Sequence, residues 1–127
     1  MKPIPTLSIE EGRPVLLVDN KPTLLFAGEL HNSSASSLRY MDEQVWPALR
    51  PLHLNTVILP VAWESVEPEE GKFDFSLPDG LIAAAKREQV RLVLLWFGLW
   101  KNGLSSYIPG WAKKASSGVS ADRKSVV

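Results

Sequence analysis

Apolar positions along this chain come in blocks separated by polar, proline- or glycine-bearing breaks. A short apolar run at residues 15–18 is interrupted by Asp19-Asn20-Lys21-Pro22, and a second run follows at 23–27. Two such runs about an Asp-Asn turn predict a hairpin. The second run meets Gly28-Glu29-Leu30-His31-Asn32 and the serines 33, 34, 36 and 37, which supply N-caps for a helix. Over 38–49, Met41, Val45, Ala48 and Leu49 recur at helical spacing. Pro47 falls near the end of that helix or at a kink, and Pro51 stops it. Residues 56–61 are continuously apolar and rich in β-branched side chains, the pattern of a strand covered on both faces. Pro60 belongs at its last rung, where a missing N–H costs least. A second helix spans about 77–86, with Leu81, Ile82 and three alanines on it and Ser76 or Asp79 as its cap. Residues 90–97 predict a third buried strand.

The strand-like runs begin near 23, 56 and 90, about 33 residues apart. Two of the intervals hold a helix, so the order is βαβαβ in an α/β fold. Doubly wound sheets and (β/α)8 barrels share that order. No G-x-G-x-x-G follows any strand and no phosphate-binding P-loop is present. That favours the N-terminal part of a TIM barrel, about three parallel strands and two helices after a short β-hairpin. The boundaries that follow are 1–22 for the extension and hairpin, 23–112 for the partial barrel, and 113–127 for an irregular polar tail. A complete barrel has eight strands and about 250 residues. The alternative is an independent three-stranded domain.

Composition narrows the chemistry. Fourteen basic residues balance fourteen acidic ones with no basic stripe, which argues against a nucleic-acid partner. Cysteine is absent, so disulfides, thiolate catalysis and cysteine-ligated zinc are excluded. That absence is compatible with reducing and oxidising compartments alike, so localisation stays open. No apolar run reads as a signal peptide or a membrane span.

Three polar and aromatic clusters fall at the C-terminal ends of the predicted strands, where barrel loops converge. They are Glu29, His31 and Asn32; then Trp63, Glu64 and Glu67; then Trp96, Trp100, Lys101 and Asn102. Carboxylates and amides can bind sugar hydroxyls, and indoles can stack on a pyranose face. Trp63 and Trp96 also fit a purely core role, and Glu29 and Glu64 a structural one. Glycoside hydrolysis needs two carboxyl groups facing each other across the substrate. Glu64 and Glu67, three residues apart in one loop, are poorly spaced for that. Glu67 reads instead as a structural group bonded to the loop backbone. Phe73 and Phe75 alternate about Asp74, which predicts both rings inward and Asp74 outward. His53 falls on the side away from the mouth. Glu29, His31 and Glu64 form a conceivable metal trio that nothing in their spacing enforces, and no metal or cofactor is assigned.

The motif W-E-x-V-E-P-E-E-G-x-F-D-F, from Trp63 to Phe75, resembles the loop after the second strand in clan-A glycoside hydrolases, especially the β-galactosidases of families 35 and 42. GELHNSS, from Gly28 to Ser34, resembles the first-strand motif of the family 35 type. LLWFGLWKNGLSSYIPGW, from Leu94 to Trp111, resembles the third-strand loop of a bacterial branch. The likeness covers about residues 12–112. It implies a (β/α)8 barrel and retaining hydrolysis of terminal β-galactosides through a covalent glycosyl-enzyme. In that clan the acid/base glutamate follows strand four and the nucleophile follows strand seven. Neither strand is read in this sequence, so the resemblance assigns no catalytic residue and implies a chain inactive by itself. It places Glu29, His31, Asn32, Trp63, Glu64, Trp96 and Asn102 at substrate-binding positions of the mouth. The implied partner is a β-galactoside or related sugar, with self-association through an open sheet edge. A small non-catalytic carbohydrate-binding or interaction domain on the same scaffold is the alternative.

Overall fold

Residues 56–62 carry the fold. They form the central strand of a three-stranded parallel sheet in a computed structural model that describes residues 3–101 and 105–117. The elements in chain order are β1 (Thr6–Glu10), β2 (Arg13–Val18), β3 (Lys21–Pro22), β4 (Ala27–Glu29), α1 (Leu38–Tyr40), α2 (Trp46–Leu49), β5 (Thr56–Ala62), α3 (Trp63–Val66), α4 (Ser76–Arg87), β6 (Arg91–Phe97), β7 (Trp100–Lys101), β8 (Ser105–Ser106) and α5 (Gly110–Ser117). Strands β4, β5 and β6 pair in sequence order, all parallel. This is the progression of a partial (β/α) barrel, and it is preceded by an antiparallel hairpin sheet, β1-β2-β3.

The hairpin is larger than its apolar blocks suggest. Its two turns are two residues each, Glu11-Gly12 and Asp19-Asn20, and all four residues have positive φ. That is the turn geometry whose twist matches paired strands. The expected second arm at 23–27 is not a strand: the arm is Lys21–Pro22, and the first parallel strand starts only at Ala27. Asn55 explains the gap. Its side chain accepts from the Phe26 N–H (2.9 Å) and donates to the Leu24 carbonyl (2.8 Å), while its own N–H donates to the Phe26 carbonyl. These backbone groups are satisfied without a ladder.

The first helical stretch begins as predicted, with the Ser37 hydroxyl accepting from the Tyr40 N–H. Met41–Val45 then widen into a π-helical turn, in which the Trp46 N–H reaches the Met41 carbonyl. Pro47 stands directly after it. A proline ring crowds the carbonyl four residues back, and the wider turn relieves that clash. The stretch ends in a 3-10 turn, Arg50–Leu52, capped by His53 in the left-handed conformation. In α4 neither Ser76 nor Asp79 is the cap: Phe75 holds that position without a side-chain bond, and Asp74 Oδ1 accepts from the Ser76 N–H at 2.8 Å. The Ser76 hydroxyl, and after it this N–H, hold the Asp74 carboxyl below its ordinary value.

Alternation along the sheet sorts its two faces. Val57, Leu59 and Val61 are buried against Leu81, Ala84 and Ala85 of α4, together with Met41 and Trp46. Their register partners Leu92, Leu94 and Trp96 therefore lie on the same, helix-bearing side. Ala27 and Glu29, then Ile58, Pro60 and Ala62, then Val93, Leu95 and Phe97 share the other face, which corresponds to a barrel interior. Pro60 is the fifth of seven residues rather than the last rung. The Ile58 carbonyl accepts from Leu30, so alternate residues, Pro60 included, turn their backbone toward β4. Strand β4 has ended by then, and no ladder bond is lost there.

Two further expectations fail. Strand β6 is not buried: Leu94 is 45% and Trp96 58% exposed. Among the described residues it is an edge strand of its sheet. Residues from 113 were expected to be irregular, yet Lys113–Ser117 continue helix α5, and the rest of that tail lies outside the described residues.

Candidate functional site

Parallel strands bring their following loops to one end, and the first two clusters follow β4 and β5 there. Glu29 closes β4 on the interior face, one register step beside Ile58. His31 and Asn32 follow in a loop whose first turn is closed by the Ser34 N–H donating to the His31 carbonyl. Together with Tyr40 and four of the loop's serines they line an open polar groove of about 670 Å³.

The second cluster is tied to the third loop. Trp63 begins the short helix α3 directly after β5, and its indole N–H donates to Glu67 Oε2 at 2.7 Å. Glu67 Oε1 accepts from the Gly71 N–H at 2.9 Å. Gly71 has φ +72°, the left-handed turn that brings this N–H back to the carboxylate. Both oxygens of Glu67 are thus engaged within the loop, the structural duty its spacing suggests. The Glu64 N–H donates to the Tyr107 carbonyl at 2.9 Å, and the Tyr107 ring meets Phe97 at 4.8 Å. The Glu64 carboxylate lies 4.0 Å from Lys113 Nζ, with both side chains about half exposed.

Phe73 and Phe75 do not turn inward. Both are exposed, and their rings lie near-parallel with centroids 6.3 Å apart. The Asp74 N–H is held by the Val66 carbonyl and its carboxylate by the Ser76 N–H at the start of α4. This pins the loop and leaves the two rings on its outside.

Of the expected mouth residues, Glu29 is on the interior face and Trp63 and Glu64 follow β5 at the same end. Trp96 is on the helix side of the sheet. Asn102 lies outside the described residues, and of Trp100 and Lys101 only the backbone, in β7, is described. Among the described residues no three His, Asp or Glu side chains come close enough to hold a metal ion. The trio Glu29, His31 and Glu64 is not assembled as one. No helix among the described residues is long and apolar enough to cross a membrane. Tyr107, Trp111 and Lys113 are the contacts that the sequence reading missed. Tyr107 and Trp111 stand within the third-strand motif, but the residues that these three meet in the second loop, Glu64 and Glu67, are more than forty residues away.

Three parallel strands in order, helices packed on one face and loops following the strands at one end define an α/β protein of the partial (β/α) barrel type. A family model for glycoside hydrolase 42, described as beta-galactosidase, matches residues 36–114, well over half of the chain. The chain belongs to that family, and so to the clan-A type of glycoside hydrolases. None of the curated proteins matches it in sequence. Among solved structures, the exo-beta-1,4-mannosidase Op5Man5 from Opitutaceae bacterium strain TAV5 superposes with a TM-score of 0.52 at 19% identity, covering 67% of this chain and 16% of that one. A family 39 glycoside hydrolase from the gut symbiont Bacteroides cellulosilyticus WH2 gives a TM-score of 0.43 at 16% identity, covering 76% of this chain and 21% of that one. The mannosidase likeness concerns fold alone. The chain spans a small part of either structure's length.

Proposed function

We propose that this chain forms the wall of the sugar subsite contributed by the first three strands of a retaining β-galactosidase barrel, and that it does not hydrolyse glycosides alone. The family match over residues 36–114 carries this reading. Glu29, His31, Asn32, Trp63, Glu64 and Asn102 are the proposed substrate-binding residues; Trp96, on the helix side of the sheet, is not among them. Carboxylate and amide groups would take the sugar hydroxyls and an indole the apolar ring face. Glu29 on the interior face, and Trp63 directly after the C-terminal end of the neighbouring strand, support the assignment. The first-loop motif GELHNSS supports a specificity of the family 35 type. The division at 22 into hairpin extension and partial barrel belongs to the same proposal, as does self-association through β6.

Retaining hydrolysis needs two carboxyl groups roughly 5 Å apart across the glycosidic bond. Glu67 is committed to the loop, and the proposal gives Glu29 and Glu64 binding roles only. Two measurements test this on the 127-residue chain. Methyl β-D-galactopyranoside should perturb tryptophan fluorescence with weak, roughly millimolar affinity, and Glu29→Gln should weaken it several-fold. A chromogenic β-galactoside should show no turnover above buffer. Turnover abolished by Glu29→Gln or Glu64→Gln would overturn the binding-only roles. No sugar response at saturating concentrations would remove the subsite reading.

A further inference from the structure

Two tryptophans from different loops are wired to one glutamate. The Trp63 indole N–H donates to the Glu67 carboxylate at 2.7 Å, and the Trp111 indole N–H donates to the Glu67 backbone carbonyl at 3.0 Å. The two rings meet edge to face, 5.7 Å apart at 88°. We propose that Trp111, through Glu67, is a positioning residue that fixes the plane of the Trp63 indole as a platform for a pyranose ring. The inference rests on the reading of Trp63 as sugar-facing.

The geometry supports this in three ways. A ring whose N–H is bound to a carboxylate is restrained about both side-chain torsions, because the donor direction lies in the ring plane. The carboxylate is itself held, since its second oxygen takes the Gly71 N–H. The edge-to-face contact then blocks the remaining tilt, as such pairs hold a preferred geometry. A platform fixed before binding loses less freedom when the sugar arrives. Trp111 reaches Glu67 from the start of α5, after the third strand and its hairpin. The Glu64 N–H bond to Tyr107 ties the same two segments a second time. The second mouth loop is therefore set by residues of the third.

The test reads the Trp63 indole N–H of the full, nitrogen-15-labelled chain. In the unmodified chain this proton should exchange slowly with solvent. Trp111→Phe keeps an aromatic edge but removes the donor to Glu67. It should accelerate Trp63 indole exchange about tenfold and weaken methyl β-D-galactopyranoside binding several-fold, with the backbone amides of β5 equally protected. Glu67→Gln, which keeps a side-chain oxygen acceptor, should change both less than Glu67→Ala. Unchanged Trp63 exchange in Trp111→Phe would overturn the proposal. So would exchange that rises only in step with the β5 amides, which is general loosening, or faster exchange with unaltered sugar affinity. If Trp111→Phe fails to fold, the Glu67→Gln and Glu67→Ala pair decides by the same readouts. If the unmodified chain binds no sugar, the subsite reading fails, and indole exchange still decides whether Trp111 holds Trp63.

Discussion

Leu81 and Ile82 are neighbours on α4, and replacing each with alanine should have very different consequences. Leu81 is fully buried among Val57, Leu59, Ala84 and Ala85, whereas Ile82 is 37% exposed. Leu81→Ala removes about three carbon groups from the core, roughly 2.4 kcal/mol of transfer energy at about 0.8 per group. The cavity left behind raises the loss to about 3 kcal/mol, within the range seen for such changes. The better helix propensity of alanine returns only about 0.2 kcal/mol. Ile82→Ala gives up partial burial and regains about 0.4 kcal/mol of propensity, so its net effect should stay within about 1 kcal/mol. Urea unfolding followed by circular dichroism at 222 nm separates them. With a slope of about 1.5 kcal/mol per molar, Leu81→Ala should lower the midpoint by about 2 M and Ile82→Ala by well under 1 M. Equal shifts would refute the assignment of the buried face of α4 against β5.

The ion pair between Arg50 and Glu88 predicts a pH effect. It is bidentate, with Nε–Oε2 and Nη2–Oε1 both at 2.8 Å. The hydrogen bond from Arg50 holds the Glu88 carboxyl below its ordinary value of 4.5, against opposing desolvation. The stabilisation is present above that ordinary value and is lost as pH falls through the lowered one. Between pH 6 and pH 3 the melting temperature should therefore drop further in the unmodified chain than in Glu88→Gln, by roughly a few degrees; parallel curves would show that the pair does not couple to folding. At the sheet edge, Arg91 bonds toward β5, so Leu92, Leu94 and Trp96 turn their N–H and C=O outward. A lysine on an edge strand opposes pairing with another edge. Leu94→Lys should lower the sedimentation coefficient seen in a concentration series, and an unchanged profile would dismiss β6 as the route of self-association.

Much of the scaffold was legible because side-chain period reports local geometry. The β5 block contains four β-branched residues within 56–61 and is observed as Thr56–Ala62. The Asp19-Asn20 turn carries residues that tolerate positive φ, and the Ser37 cap stands where a cap was expected. Strand β1 was legible too, since Leu7 and Ile9 alternate with Ser8 and Glu10 before a Glu-Gly turn, but the apolar-block reading passed over it. The placement of Glu29 at the end of β4, and of Trp63 and Glu64 directly after β5, followed from the strand ends, and the duty of Glu67 followed from its spacing.

The remainder depended on partners distant in the chain. Nothing local to Asn55 announces that it will hold residues 24–26 out of a strand, or that Glu67 will receive an indole from Trp111. The run at 91–97 is as apolar as that at 56–62, yet one is an exposed edge and the other a buried centre. An apolar residue specifies that a face should be covered; only the tertiary arrangement decides what covers it. Sequence alone thus determined the α/β order, the strand ends and the family-bearing motifs, because these rest on backbone preferences and short-range spacing. The tertiary structure decided which side of the sheet each residue takes, that Trp96 stands apart from Glu29, and that the third loop holds the second. Those outcomes depend on register and on contacts more than forty residues apart, which no local pattern encodes.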